Sequence, residues 1–450
     1  MGLVKYFVFF AALVFGVPIG ANLAEKNEKI ENFVFFLMIF FTVETVTINF
    51  VSREFFRGTS RGFEIGLVDI AMLIIYQLIK RRKDIYPPVK RPPGTNLYFL
   101  FFFFCWISIF NSAPGYVVNS YFEIWKMIRM YAYFWVIYNY VNSWEKIELL
   151  MKIIGIIVIY IGAVVLKQKY VDGMFQNAGP FPHQNSLVMY LIVFGSVVFA
   201  YLLNRKDVKL WYWMVVLGMA AISVISTLSR AGMAFFVIAC ALVWFFSFTQ
   251  GFTAKKAGIT LLLLLFALAG LLKAMDSIVE RFQTAPEESG LTRIILAQTA
   301  LNMANDKALG IGLNNFGLKV NPPYDYGTEI YPYLHDGKLP PEDYEERNGL
   351  VETAYLSIAA ETGWHNLVVY LLFLFYFLGM NFKNLRLMKN HQSQYFSIGL
   401  MGALTAIYLE STLEWVLRQT NNFYQLMMMF AVIAATRKIY LRERMEQNDR

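Results

Sequence analysis

The sequence predicts an all-α membrane protein, a polytopic bundle of transmembrane helices with one large external loop. Of its 450 residues, 57% are hydrophobic and only 16% are charged, whereas a soluble domain carries about 25% charged residues. The mean hydropathy is +0.45. Apolar runs recur along the chain, and about 20 helical residues suffice to cross a bilayer. These observations exclude an ordinary soluble enzyme.

The apolar runs predict about 12–13 spanning helices, since each run is long enough to cross the hydrocarbon core. They lie at residues 3–22, 31–51, 64–80, 96–112, 119–141, 147–166, 186–203, 209–227, 231–248, 257–274, 366–382, 395–412 and 422–437.

Lysine and arginine in short loops predict the orientation of the spans, because basic loops stay on the cytoplasmic side. The strongest such loop is KRRKDIYPPVKRPP at 80–93. Alternation from this loop places the N-terminus outside, together with the segment 52–64 despite its three arginines. The other loops predicted to be cytoplasmic are 204–209, 253–256, 381–391 and the C-terminal tail.

The long polar segment between the spans ending near 275 and beginning near 366 is predicted to be an external loop domain. The chain thus divides into an N-terminal bundle (1–275), a periplasmic loop domain (276–365) and C-terminal helices with a cytoplasmic tail (366–450). Connections of this length usually carry function. The proline- and tyrosine-rich part of this loop suits sugar stacking, and it suits an ordinary lid equally well.

An amphipathic helix is predicted within this loop domain, over residues 290–310. Its apolar residues recur at helical spacing. They are Leu291, Ile294, Ala297, Leu301, Ala304 and Ala308.

Ionisable residues form two stripes at helical spacing, near the external ends of predicted spans. One stripe is Glu123, Lys126 and Arg129; the other is Glu410, Glu414 and Arg418. Charged residues inside spans usually face a cavity or a partner. Two interpretations stay open: these groups pair with one another and hold the bundle together, or they face a substrate.

Several arginines are predicted to converge on the external face. Arg230 lies at an outer turn between two spans, Arg293 lies in the loop helix, and Arg347 precedes the next span. Together with Arg129 and Lys126 they suit a diphosphate, since guanidinium groups bind phosphate oxygens in pairs.

Signatures of other chemistry are missing from the sequence. There is no GxxxxGK[ST], HExxH, CxxC or GxSxG motif. The four histidines at 183, 335, 365 and 391 are scattered, and the two cysteines lie in apolar runs. We therefore expect no metal and no cofactor. The net charge of +8 is concentrated in short loops, so it concerns topology, and no nucleic-acid partner is expected.

Four segments in order resemble the bacterial O-antigen ligase and O-antigen polymerase superfamily. They are GPFPHQNSLVMYL, STLSRAGM, LTRIILAQTALNMANDKALGIGLNNF and ETAYLSIAAETGWHNLVVYL, and the resemblance covers roughly residues 120 to 430. It implies an all-helical inner-membrane glycosyltransferase, GT-C-like, with its active site facing the periplasm. Such proteins transfer a glycan from undecaprenyl diphosphate and need neither nucleotide sugar nor metal.

The resemblance assigns roles residue by residue. Arg230 matches the arginine of the Ser-Arg-Gly/Ala motif, and Arg293 matches the arginine that opens the loop helix; both would hold the donor diphosphate. Ligases of the family place a histidine before Tyr-Leu and Ala-Glu-Thr-Gly, and Glu352 occupies that position here.

Glu352 is the candidate general base, since a carboxylate close to apolar residues can have its pKa raised toward the working pH. His335 is the alternative base. Glu361, beside the Gly363 helix break, is predicted to be structural. Further candidate site residues are Arg347, His183, Arg418 and Glu410.

A polymerase is favoured, because the ligase histidine is replaced by Glu352. The alternatives are an O-antigen ligase acting on lipid A-core and, from another class, a polysaccharide or lipid-linked sugar transporter. The expected partners are the undecaprenyl-diphosphate-linked glycan, the lipid bilayer and, for a polymerase, a chain-length regulator.

Overall fold

The computed structural model describes residues 2–53, 58–86, 90–262, 264–265, 268, 272, 275, 287–330 and 349–448. Within these ranges the regular secondary structure is helical apart from one antiparallel β-hairpin. This confirms the predicted all-α class. The main helices are α1 (Gly2–Ala11), α2 (Val17–Lys26), α3 (Glu28–Phe40), α4 (Leu67–Arg81), α5 (Thr95–Ser108), α6 (Val117–Tyr140), α7 (Trp144–Tyr170), α8 (Gln184–Asn204), α9 (Leu210–Ser226), α10 (Arg230–Ser247), α11 (Glu287–Asp306), α12 (Phe316–Lys319), α13 (Ala354–Thr362), α14 (Trp364–Leu387), α15 (Gln394–Glu410) and α16 (Thr420–Asn448).

Helices with the length and composition of membrane spans make this a multi-pass membrane protein. In the described part of the chain, five helical segments are long and apolar enough to cross a bilayer, and two apolar helices are shorter. The five are Tyr6–Lys26, Trp144–Tyr170, Gln184–Asn204, Arg230–Gln250 and Trp364–Leu387; the two shorter ones are Thr95–Asn111 and Leu210–Ser226.

The predicted helical span at 31–51 is wrong in its second half. Helix α3 ends at Phe40, and Thr47–Ser52 (β1) pairs antiparallel with Gly62–Gly66 (β2). The residues TINFVS are rich in β-branched and aromatic side chains, which favour a strand, and apolar run length alone does not separate the two structures. The predicted span at 257–274 is described only in part, and its described residues are helical.

Loops that the charge pattern places on one side of the membrane lie together at one end of the bundle. The Lys255 Nζ donates to the Arg205 carbonyl at 2.5 Å, and the side chain of Gln250 donates to the side-chain oxygen of Gln394 at 2.7 Å. At the other end, the backbone N–H of Thr59 in the hairpin donates to the side chain of Asn314 in the loop domain at 2.8 Å. The hairpin and the loop domain therefore share the end that is predicted to be external.

Helix α8 is the centre of the bundle and is buried along almost its whole length. Helix α15 packs against both α8 and α10, and glycines permit the close approach. A Cβ added at Gly399 would lie 2.7 Å from the backbone Cα of Val197, and one at Gly402 would lie 2.6 Å from the Ala239 carbonyl. Small residues at such positions let membrane helices pack backbone to backbone.

We predict that Gly399→Ala destabilises the protein by about 1–3 kcal/mol, because the added methyl group would force α15 away from α8. Thermal unfolding of the purified protein in detergent would measure the change. The control is Gly379→Ala in α14, where an added Cβ meets nothing within 4 Å. Equal unfolding temperatures for the two variants would contradict the proposed packing.

Candidate active site

The N-terminal ends of α8, α10, α13 and α16 meet at the predicted external end. The backbone N–H of Ala354 in α13 donates to the Ser411 carbonyl at 3.0 Å. The side chain of Asn422 in α16 donates to the Ser186 carbonyl in α8, also at 3.0 Å. Gly232 of α10 packs so closely on α8 that an added Cβ would lie 2.4 Å from a valine Cγ1. Helix N-termini favour negative charge, so this end of the bundle suits an anion.

Arg293 lies between the carboxylates of Glu352 and Glu414 at this external end of the bundle. We call the surface formed by these three residues and Arg230 the rim. Its Nε contacts the Glu352 carboxylate, and its Nη2 lies 3.6 Å from Oε1 of Glu414. The Arg293 side chain is 43% exposed and that of Glu352 is 36% exposed, whereas that of Glu414 is only 5% exposed. The structure therefore brings together two predicted site residues, Arg293 and Glu352, and adds Glu414 as a third.

Both carboxylates bind protons more readily than an ordinary glutamate. Burial raises the pKa of Glu352, and the positive charge of Arg293 opposes the rise. Burial, together with the charge of Glu352, raises the pKa of Glu414 to about 7; a hydrogen bond from Asn185 and the charge of Arg293 oppose this. A carboxyl group with a raised pKa is a better proton acceptor near neutral pH than an ordinary glutamate.

His183 caps the N-terminus of α8. Its Nδ1 accepts the backbone N–H of Asn185 at 3.2 Å. Burial and the nearby charge of Arg293 lower its pKa. The lowered pKa favours the neutral imidazole, which lies within the electrostatic reach of Arg293.

Arg230 is the first residue of α10 and is exposed. The preceding Ser229 caps the helix, and its Oγ accepts the Gly232 N–H at 3.3 Å. Because Gly232 packs on the first turns of α8, Arg230 lies at the same end of the bundle as His183. Its role at a diphosphate stays a prediction.

A buried ion network lies behind the rim. Arg418 donates through Nη2 to Glu361 at 2.8 Å, and the same nitrogen lies 3.6 Å from Glu123. Lys126 Nζ lies 2.8 Å from Glu123 and also donates to the carbonyls of Thr59 and Arg418. These interactions occupy Lys126 and Arg418, two of the predicted site residues, within the protein itself.

Arg129 is also buried and paired. Its Nη2 donates to Asp69 at 2.7 Å, its Nε contacts the same carboxylate at 3.0 Å, and its guanidinium lies over the ring of Tyr424. The predicted diphosphate role of Arg129 and Lys126 stays a prediction, and each side chain already has a carboxylate partner.

The space beside the buried network is small. A cavity of about 20 Å³ is bordered by Glu123, Arg418, Thr362 and apolar side chains. That volume holds about one water molecule and is far too small for a sugar diphosphate. The exposed arginines at the rim are thus better placed for a large ligand than the buried cations.

The remaining predicted residues are distributed as follows. Glu410, at the end of α15, is fully buried, and its carboxylate oxygens have no hydrogen-bond partner among the described residues. His335 and Arg347 lie outside the described residues. Within the described part, no group of His, Cys, Asp or Glu is arranged to hold a metal ion.

The loop helix exists as predicted, but its predicted apolar stripe is buried only in part: Ala304 is 3% exposed, and Ala297 packs against the buried cluster. Ile294 is 68% exposed, whereas Leu296, Ala300 and Met303 are buried against α13 and its neighbours. Arg293 shares a helix face with Leu296 and Ala300, so pairing of Arg293 with the two carboxylates is compatible with burying that face. The spacing of the apolar residues alone could not reveal which face of the helix is buried.

Glu414 had only a weak signal in the sequence, because the stripe that contains it could equally have had a structural role. Glu414 is distinguished by the nearby side chains of Arg293 and Asn185. Both residues are far from Glu414 in the chain. The glutamate one turn earlier, Glu410, has the same sequence pattern without that contact.

Comparison with known families gives one match. Residues 214–371 match the family model described as O-antigen ligase, a segment that contains Arg230, Arg293 and Glu352. No curated protein matches the chain significantly. The match confirms the resemblance carried by the sequence motifs and supports a membrane role of the O-antigen ligase or polymerase type.

Over residues 214–371, about a third of its length, this multi-pass membrane protein is therefore similar to the O-antigen ligase family.

Proposed function

We propose that the protein is a glycosyltransferase that moves a glycan from an undecaprenyl-diphosphate donor to a lipid-linked glycan acceptor, as an O-antigen or exopolysaccharide polymerase. The observation that carries the proposal is the exposed Arg293 held between Glu352 and Glu414, beside converging helix N-termini. This arrangement combines a phosphate-binding cation with a carboxylate base. The family match supports the same class of activity.

The donor diphosphate is assigned to Arg293 and Arg230. Both are exposed at the rim, where a lipid tail can stay in the bilayer while its head group reaches the external side. Guanidinium groups bind phosphate oxygens in pairs, and the helix N-termini add favourable partial charge. Lys126 and Arg129 are enclosed by protein groups, so we assign them to holding the site together.

The transfer needs one base and one stabilised leaving group. Glu352 accepts the proton of the acceptor hydroxyl as that oxygen bonds to the anomeric carbon of the donor glycan. The bond from this carbon to the diphosphate oxygen breaks, and its electron pair leaves with undecaprenyl diphosphate. Arg293 and Arg230 stabilise the charge that develops on this leaving group. The step requires no covalent glycosyl-enzyme, metal or cofactor.

The setting of this reaction is the bacterial inner membrane, with the site on the periplasmic side. The basic loops at the opposite end of the bundle support this orientation, since such loops favour the cytoplasm. A polymerase in this position would work with a chain-length regulator.

An O-antigen ligase is the second candidate, since the matching family model bears that description. The purified protein in nanodiscs, supplied with a radiolabelled undecaprenyl-diphosphate glycan, would separate the two. Longer lipid-linked chains identify a polymerase, and label on added lipid A-core identifies a ligase. If neither product forms, glycosyl transfer is refuted, and transport of the lipid-linked sugar becomes the function to measure.

We predict that Glu352→Gln lowers the rate of chain growth by about 10²–10⁴-fold, because the amide cannot accept the acceptor proton. Donor binding should persist, since Arg293 remains. Asp306→Asn, a carboxylate-to-amide change at the end of α11, is the matched control and should retain activity. Wild-type polymer from Glu352→Gln would remove Glu352 as the base and direct attention to His335.

We predict that Arg293→Ala lowers the rate by about 10²–10³-fold, the usual cost of losing one group that stabilises developing negative charge. Arg293→Lys should restore only part of the lost rate, because an ammonium group cannot bind two oxygens in a fixed fork. Lys307→Ala, just beyond the same helix, removes an exposed cation as the control. A normal rate in Arg293→Ala would exclude this arginine from the diphosphate site.

A further inference from the structure

Glu414 has no role in the transfer step just described, yet it lies at the centre of the rim. Its side chain is nearly buried, and Arg293 Nη2 lies 3.6 Å from it. Asn185, at the start of α8, donates a hydrogen bond to it. Two carboxylates, Glu352 and Glu414, thus share the single positive charge of Arg293.

The carboxylates and the donor compete for the same edge of the guanidinium. Arg293 presents Nε to Glu352 and Nη2 to Glu414. These N–H groups belong to the planar fork through which arginine binds two oxygens of a phosphate. A diphosphate can bind Arg293 fully only after at least one carboxylate has released it, and an ionised Glu414 would also repel the incoming anion.

We propose that Glu414 is a positioning residue that holds Arg293 in the empty site and releases it to the donor diphosphate on taking up a proton. The identity of the donor rests on the proposed function; the release of Arg293 does not. The proton moves only onto the Glu414 carboxylate, and no covalent bond to carbon or phosphorus changes in this step.

The pH dependence follows from the charge of Glu414. Burial raises the pKa of this carboxyl to about 7. Below pH 7 it is mostly neutral and no longer holds Arg293 Nη2, which can then bind the donor; above pH 7 it is ionised and keeps this group. Donor affinity should therefore fall as the pH rises through 7. For one linked proton the loss between pH 6 and pH 8 is at most about tenfold.

The other charged groups near Glu414 do not produce the same profile. An arginine side chain keeps its positive charge at these pH values. The pKa of His183 is lowered from its ordinary value of 6.5, so this imidazole titrates at lower pH than Glu414. Glu352 faces the same guanidinium. Glu410 lies one turn before Glu414 and has no hydrogen-bond partner among the described residues. Variants of Glu352 and Glu410 test whether either residue contributes to the pH dependence.

The experiment measures binding of undecaprenyl-diphospho-N-acetylglucosamine to the full-length protein in nanodiscs from pH 6 to pH 8. Both ends of this diphosphate are esterified, so the probe itself loses no proton in that range. The wild type should bind up to about tenfold more weakly at pH 8 than at pH 6. Glu414→Gln should bind with a pH-independent dissociation constant close to the wild-type value at pH 6.

Three further variants make the test specific. Glu414→Asp should keep the pH dependence, because a carboxylate remains. Glu410→Gln should also keep it, because Glu414 is intact. Glu352→Gln should keep it with a midpoint at lower pH, because the charge of Glu352 no longer raises the pKa of Glu414. Asn185→Ala should move the midpoint of the pH dependence to higher pH, since the lost hydrogen bond favours the ionised form of Glu414. This variant tests the proposal if Glu414→Gln fails to fold.

The possible results separate the two proposals. A flat wild-type profile, a pH dependence that persists in Glu414→Gln, or an unmoved midpoint in Asn185→Ala would overturn the role of Glu414. The expected profiles without any glycosyl transfer would uphold that role and refute the proposed function. No binding of the probe by the wild type at any pH would overturn both.

Discussion

The buried ion pairs of Arg418 are the interaction on which the external end of the protein depends. This guanidinium joins Glu361 of α13 to Glu123 of α6, and Lys126 completes the network. Removing one partner from such a network costs about 3–5 kcal/mol, because the opposite charge is left buried and unpaired. The network therefore fixes α13, which follows Glu352 directly, against the membrane-spanning helices.

The charged residues divide into two sets that differ in burial. The Arg418 side chain is 8% exposed and is enclosed by carboxylates, whereas that of Arg293 is 43% exposed. Water weakens the ion pairs of an exposed arginine, so Arg293 can exchange partners at small cost while Arg418 cannot. The buried set supports the site, and the rim set is available to a ligand.

The Gly310-Ile311-Gly312 segment shows how the loop domain is attached to the bundle. Both glycines have positive φ, and a Cβ at Gly310 would lie 2.3 Å from the Glu361 backbone. The close approach lets the Ile311 N–H donate to the Ala360 carbonyl at 2.9 Å. These glycines serve backbone packing.

The sequence by itself determined the membrane class, the positions of most helices, the Gly363 break and the choice of Arg293 and Glu352, because hydropathy and short motifs are local properties. It could not separate Lys126, Arg129 and Arg418 from the arginines of the rim, nor recognise Glu414. Those distinctions depend on burial and on partners distant in the chain, such as Asp69 for Arg129 and Arg293 for Glu414. Tertiary structure decided them, since it alone determines which charges meet and which reach solvent.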